Sequence, residues 1–345
     1  MLNKSFFCLF ILMVIITNFT FCQIPTNYYS QTKGLSGKQL KYSLHNIIKG
    51  HKQYPYTSTS TDVWDILKLT DKDPKNPNNV ILIHSGWSVN ASLEYNGGKG
   101  WTREHIWAKS HGDFGTEIGA GTDVHHIRPE DALINSVRNN LDYDNGGSLY
   151  LSNQGALGIR KDNDSFETRD DVKGDVARML FYMAVRYEGS NNELDLELVN
   201  SVNTFSLNEL GKGYHGKLST LIKWHNFDPV DSFELKRNHI IYTFQQNRNP
   251  FIDHPEFVNL IWGEITNIEN FDREDILIFP NPAQNEIFVS SIKPFYAKIY
   301  NQIGILIFEG HFLEQSIPIS HLNSGNYIVQ IKTENEIYIK KFVKF

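Results

Sequence analysis

A chain of 345 residues has room for two domains at about 150 residues each, and each is long enough to bury a core. With 40% hydrophobic and 21% charged residues the balance is globular, which excludes a disordered, collagen-like or coiled-coil chain. A formal charge of -6, from 33 basic and 39 acidic residues, excludes a uniformly basic nucleic-acid coat, so any such contact is local.

The N-terminal segment carries one charge, Lys4, then an apolar run from Phe6 to Ile16 and a more polar exit from Asn18 to Cys22. This is the three-part pattern of a secretory signal peptide, and the run is shorter than the roughly 20 residues that span a bilayer. Export with cleavage near Cys22 is expected, with an N-terminal membrane anchor as the alternative. Cys8 and Cys22 are the only cysteines. A mature chain starting after Cys22 therefore has no disulfide and draws its stability from its cores. No stable membrane insertion is expected, and the protein is expected to be a monomer.

From Gly34 to Gly263 the pattern reads mostly helical. Leu40, Leu44, Ile47 and Ile48 follow helical spacing behind Ser36, a candidate N-cap. Val80 to Ile83 reads as a short strand after a turn-rich stretch. Val172, Val176, Met179, Leu180 and Met183 mark a helix after Asp170; Phe233, Arg237, Ile240, Ile241 and Phe244 mark another. His254-Pro255 opens a last short helix ending at Gly263. Beyond Gly263 the texture changes to short β-type runs: Ile276 to Phe279, Ile287 to Val289, Ile299-Tyr300, Ile305 to Phe308, Tyr327 to Ile331 and Ile337 to Phe342. Their regular spacing predicts a small β-sandwich.

Two patches concentrate polar residues suited to chemistry: Trp101-Thr102-Arg103-Glu104-His105-Ile106-Trp107, and Asp123-Val124-His125-His126-Ile127-Arg128-Pro129 running on to Asn140. A helix starting near Pro129 gathers Leu133, Ile134 and Val137 on one face and Asp131, Asn135 and Arg138 on the other. Glu104 and His105 are adjacent, so in a strand they point to opposite faces. Both reach one centre only at a strand end or a kink. Given that, a carboxylate and an amide oxygen form a hard-oxygen pair suited to Mg²⁺, with other divalent ions such as Mn²⁺ or Ca²⁺ as options. The His105 imidazole is then free to act as a base. Taken singly, these residues also fit ordinary surface polarity, and Trp101 and Trp107 fit core anchors better than base-stacking platforms.

In combination, Arg-Glu-His-x-Trp, Asp-x-His-His-x-x-Pro and Asn-Ser-x-Arg-x-Asn resemble the bacterial endonuclease I family, whose nuclease site is a ββα-metal motif. Gly34-Leu35-Ser36-Gly37, the segment Gly174 to Tyr187, Trp224-His225 and Asn247 to Glu256 look like further family landmarks. The resemblance implies an α+β fold, a mostly helical nuclease domain carrying the ββα-metal motif. It implies His105 as general base, Glu104 and Asn135 as metal ligands, and Arg138 as a catalytic phosphate contact. Arg128, His126 and Arg103 are further nucleic-acid contacts. Thr102, Ala108 and Thr168-Arg169 depart from the common family pattern.

Phe279-Pro280-Asn281-Pro282, His321 to Tyr327 and the basic finish Lys340 to Phe345 resemble C-terminal sorting domains of the type IX secretion system, which implies that machinery as a partner. The expected organisation is a signal peptide at 1–22, a nuclease domain at 28–265, a linker at 266–274 and a β-sandwich sorting domain at 275–345. The expected activity is Mg-assisted hydrolysis of DNA or RNA phosphodiesters leaving 5′-phosphate ends, outside the cell or at its surface. Two alternatives stand beside it. One is a zinc site of His105, His125 and His126 with Glu104 as base; the other is a secreted nucleic-acid-binding or adhesion protein with an inactive nuclease fold.

Overall fold

The computed structural model describes residues 24–189, 193–202, 212–263, 278–289, 295–302, 304–313, 316–333 and 337–345. The leader expected at 1–22 and the linker at 266–274 lie outside the described residues. The chain divides into two compact units, residues 1–269 and 270–345.

The first unit runs α1 (Gly37–Ile48), α2 (Val63–Thr70), β1 (Asn79–Ile81), β2 (Ser88–Asn90), β3 (Trp101–His105), β4 (Ile127–Asp131) and α3 (Ala132–Arg138). It continues with β5 (Asp142–Tyr143), β6 (Ser148–Ser152), β7 (Gly155–Lys161), β8 (Ser165–Glu167) and α4 (Lys173–Arg186). It ends with β9 (Leu196–Leu198), β10 (Gly213–His215), α5 (Leu218–Phe227), α6 (Ser232–Gln245), α7 (Pro250–Asp253) and α8 (Phe257–Trp262). The strand content exceeds the mostly helical expectation. β1 pairs with β2, β3 with β4 and β10 with β9, while β5-β8-β7-β6 form one four-stranded sheet. The strand expected at Val80 to Ile83 overlaps β1, whereas β5, β8, β9 and β10, of two or three residues each, are too short to show a period of two.

Helix α4 is buried along its whole length at the centre of the main core. A helix buried on every side must pair each polar side chain it carries. Its Asp175 accepts from Arg128 Nη1 at 3.1 Å. Its Arg178 forms a two-pronged pair with Glu234 at 2.7 and 2.6 Å, and its Arg186 does the same with Glu193 at 2.7 and 3.1 Å. α2 opens on a reciprocal cap, with the Asp62 carboxylate accepting from Asp65 N and the Asp65 carboxylate from Asp62 N. A smaller core of Val63, Trp64, Ile66, Leu67, Val80, Trp101, Val124, Ile127 and Ile241 supports the β3–β4 pair.

Asp123 joins these layers. It accepts hydrogen bonds from Tyr182 Oη at 2.8 Å, Tyr187 Oη at 3.1 Å, Gln245 Nε2 at 3.0 Å and His125 N at 3.0 Å. Burial pushes its carboxyl up, but His51 and His125 beside it and the Gln245 hydrogen bond outweigh that and hold it well below the ordinary carboxylate range.

The second unit forms two sheets, β11 (Ile278–Phe279), β12 (Glu286–Val289) and β15 (Ser316–Pro318) in one, and β14 (Leu306–Phe312), β13 (Phe295–Asn301), β16 (Gly325–Lys332) and β17 (Ile337–Lys344) in the other. Alternation along β13 sends Phe295, Ala297 and Ile299 into a core shared with Ile287, Val289, Ile317, Val329, Ile331 and Phe342.

Asp123→Asn is expected to lower stability at pH 7 by about 3 kcal/mol, since a charged acceptor with several buried donors is lost. A urea midpoint measures it. The depressed carboxyl means that this stability is present above the unfolded value and disappears as pH falls below about 4. A midpoint in the variant equal to that of the parent would contradict this role.

Candidate active site

β3 and β4 are antiparallel with Trp101 opposite Asp131, Arg103 opposite Pro129 and His105 opposite Ile127. Pro129 therefore sits inside a strand, and the helix expected near Pro129 begins at Ala132. Two forces set that boundary. The β3 pairing holds Ile127–Asp131 extended, and the Asp131 carboxylate accepts from Leu133 N at 2.9 Å and Ile134 N at 3.2 Å as an N-cap. The predicted faces of α3 shift as well. Ile134 is buried, Val137 half-buried and Leu133 exposed, while Arg138 points inward and is 2% exposed.

His105 is the last residue of β3, which lets Glu104 and His105 line the same cavity although neighbours on a strand point to opposite faces. The cavity holds about 500 Å³ and is lined by Glu104, His105, Asn135 and Arg138 together with Tyr56 and Lys109. Asn135 donates through Nδ2 to Thr102 Oγ1 at 2.9 Å, which orients the amide and leaves Oδ1 as the unspent oxygen. The hydroxyl of Thr102, one of the departures from the family pattern, is thus the group that sets Asn135.

The His105 ring is covered by Tyr56, stacked at 5.7 Å between centroids, and by His126 edge-on at 5.4 Å. Its Nε2 faces Gly121 O at 3.0 Å, and a carbonyl only accepts, so Nε2 carries the proton and Nδ1 the lone pair. Gly121 has to be glycine: a Cβ there would stand 2.7 Å from Gly115 O. Burial, and then the neighbouring His126, push the His105 imidazole well below its usual value and keep it neutral.

Arg138 donates to His105 O at 2.9 Å and to Ile106 O at 2.5 Å, and its Nη2 meets His215 Nε2 at 3.3 Å. Its Nη1 lies 3.2 Å from Glu104 Oε1, yet that oxygen is buried and makes no hydrogen bond. Behind Arg138, the His215 Nδ1 meets Asp142 Oδ1 at 3.0 Å. His111, Asp142 and His215 are the cluster of His, Asp and Glu ligands that converges among the described residues. As the cluster stands, His215 links Asp142 to Arg138 and so helps to hold the guanidinium that lines the cavity. His84 was not legible in the motifs, and its Nε2 lies 3.8 Å from Glu104 Oε1. A long stretch of loop and strand separates it from Glu104, so no spacing pattern marks it.

The remaining sequence candidates divide. Arg103 lines the cavity, with its guanidinium over the Tyr56 ring at 3.2 Å. His126 and Arg128 are buried and do not line it; Arg128 pairs with Asp71 and Asp175, and His126 Nε2 bonds Ala120 O at 2.7 Å. Their positions make them framework groups because a phosphate cannot reach them. The zinc arrangement also fails geometrically: the His125 ring lies on Tyr182 at 4.4 Å and its Nε2 faces Asn247 O, away from His105. Trp101 and Trp107 are fully buried, as core anchors.

Replacing Arg138 by Met removes two carbonyl contacts and leaves the buried Glu104 uncompensated. The expected loss is about 3–5 kcal/mol in urea unfolding, with the Arg138→Lys variant recovering only part because an ammonium does not match the planar fork. An unaltered midpoint would show that Arg138 holds nothing in place.

Residues 36–256 match the family model described as Endonuclease I, and residues 277–344 match the one described as a secretion system C-terminal sorting domain. The chain is similar to an extracellular ribonuclease of Bacillus subtilis (strain 168), 54% identical over 238 residues, covering 68% of this chain and 78% of that protein. It is also similar to an extracellular ribonuclease of Bacillus amyloliquefaciens, at 55% identity over the same shares. A solved structure of PorZ, a surface component of the type IX secretion system of Porphyromonas gingivalis, overlaps 20% of this chain and 11% of its own at 14% identity and TM-score 0.19. The chain belongs to the endonuclease I family, a nuclease joined to a type IX sorting domain and destined for the cell surface or the medium.

Proposed function

We propose that β3, β4 and α3 form a ββα-metal site that hydrolyses phosphodiester bonds of RNA and DNA with little regard for sequence. One observation carries this reading: the lone pair of His105 Nδ1, the unbonded Glu104 Oε1 and the unspent Asn135 Oδ1 belong to residues lining one cavity. Two hard oxygens, one of them a buried carboxylate oxygen without a hydrogen bond, suit Mg²⁺ that keeps several waters. Bound by Glu104 and Asn135, the ion supplies Lewis-acid neutralisation of the charge that grows on the phosphoryl group.

The residues of the chain do the rest. His105 Nδ1 takes a proton from the attacking water while Gly121 O, accepting from Nε2, keeps the ring turned the right way. Attack on phosphorus in line with the 3′ oxygen breaks the P–O3′ bond and leaves a 5′-phosphate and a 3′-hydroxyl. Arg138 fixes the backbone carbonyls of His105 and Ile106, and with Lys109 it gives the cavity positive charge for the phosphate. A local cationic cavity satisfies phosphate binding in an acidic protein, and affinity should fall with salt. RNA is included because the two similar Bacillus proteins are described as ribonucleases.

His105→Ala is expected to reduce kcat by about 10²–10⁴ on plasmid DNA and on single-stranded RNA with little change in fold. EDTA should stop cleavage and added Mg²⁺ restore it. Undiminished cleavage in EDTA, or by His105→Ala, rejects the mechanism; products carrying phosphate at the 3′ rather than the 5′ end reject the bond assignment.

A further inference from the structure

A second cavity of about 550 Å³ adjoins the first and shares Tyr56, Thr102, Arg103 and Asn135 with it. Its other walls include Trp64 and Tyr95, and no acidic side chain lines it. We propose that this cleft, framed by Tyr56, Trp64, Tyr95 and Arg103, is a nucleobase subsite that takes one unpaired base of a single-stranded nucleic acid beside the scissile phosphate. The inference rests on the phosphodiesterase reading of the adjoining cavity.

Three features of the cleft point to a flat, uncharged ring on a polyanionic chain. Arg103 is clamped between Tyr56, at 3.2 Å from the ring centre, and Trp64, at 4.0 Å, so its guanidinium is a rigid plane. It donates to Tyr56 O and to Thr57 Oγ1, but its Nε is buried and without a partner among the described residues. Its positive charge at the cleft wall attracts the backbone of a polyanionic chain.

Tyr95 is 61% exposed and lines this cleft. Its loop is nonetheless anchored: Tyr95 N donates to Trp101 O at 2.8 Å, and Tyr95 O accepts from Gly98 N at 2.7 Å. The residue also holds φ at 50°, the left-handed region that a bulky side chain rarely adopts. An exposed ring carried by an anchored backbone at the cavity mouth offers a free face for stacking.

The substrate class follows. In a duplex both faces of a base are covered by its neighbours, whereas an unpaired base offers a face to an aromatic ring. Because every base has such a face, the subsite favours single strands without selecting a sequence.

The test uses the full chain with Mg²⁺ and two substrates: a short single-stranded oligonucleotide, and bis(p-nitrophenyl) phosphate, a diester without a base. Tyr95→Ala should raise KM for the oligonucleotide about 10-fold, with kcat little changed and the base-free diester cleaved at the parent rate. Tyr95→Phe should restore KM, and removing the bases from the oligonucleotide should erase the difference between parent and Tyr95→Ala. An unchanged KM for Tyr95→Ala, or an equal loss on the base-free diester, overturns the subsite while leaving the phosphodiesterase reading intact. A parent protein that cleaves neither substrate overturns both.

Discussion

A guanidinium taken out of water has to be met by carboxylate or carbonyl oxygens, and this chain buries six of them among the described residues. Five are answered by carboxylates through hydrogen bonds: Arg128 by Asp71 and Asp175, Arg178 by Glu234, Arg186 by Glu193, Arg237 by Asp71 and Arg248 by Asp253. The sixth, Arg138, spends its donors on the carbonyls of His105 and Ile106 and leaves Glu104 Oε1 close but without a hydrogen bond. Arg138 is thus the buried guanidinium met by carbonyls in place of a hydrogen-bonded carboxylate, and it lines the cavity with Glu104, His105 and Asn135.

The same networks account for how an exported chain stands without disulfides. Both cysteines precede residue 23, so the nuclease unit has no covalent cross-link to draw on. Asp123 instead collects donors from Tyr182 and Tyr187, on and just beyond α4, from Gln245 at the end of α6 and from the His125 backbone. Each bond is worth little net, but losing one partner leaves a buried charge or donor unpaired, which costs far more. On α4, Asp175, Arg178 and Arg186 each meet a partner from a different segment of the chain, Arg128, Glu234 and Glu193.

Much of the candidate site was legible in the sequence because residue types and local spacing carry it. Glu104 and His105 are contiguous, and Asn135 and Arg138 stand one helical turn apart, so each pair is presented by a single element. The core helix α4 and the β-rich tail were also readable, since long apolar periods and turn spacing survive in one dimension. The start of α3 was not. Pro129, which has no N–H to give a ladder, is tolerated because β4 has a strand neighbour on one side only, and a strand partner as distant in sequence as Arg103 leaves no local signal.

Composition and period alone determined a globular chain of two units with a leader-like first segment and a β-rich tail, while the nuclease reading and the candidate residues for one divalent ion came from the resemblance of its motifs to the endonuclease I family. Only tertiary structure decided which buried charges are sealed into ion pairs and which border the site. Arg128 and Arg138 look alike in sequence, yet one is sealed into an ion-pair network with Asp71 and Asp175 and the other borders the cavity. Tyr56, Trp64, His84 and Tyr95 reach the site from separate loops and elements for the same reason. Burial and pairing are properties of three-dimensional neighbours, and no pattern along the chain records who those neighbours are.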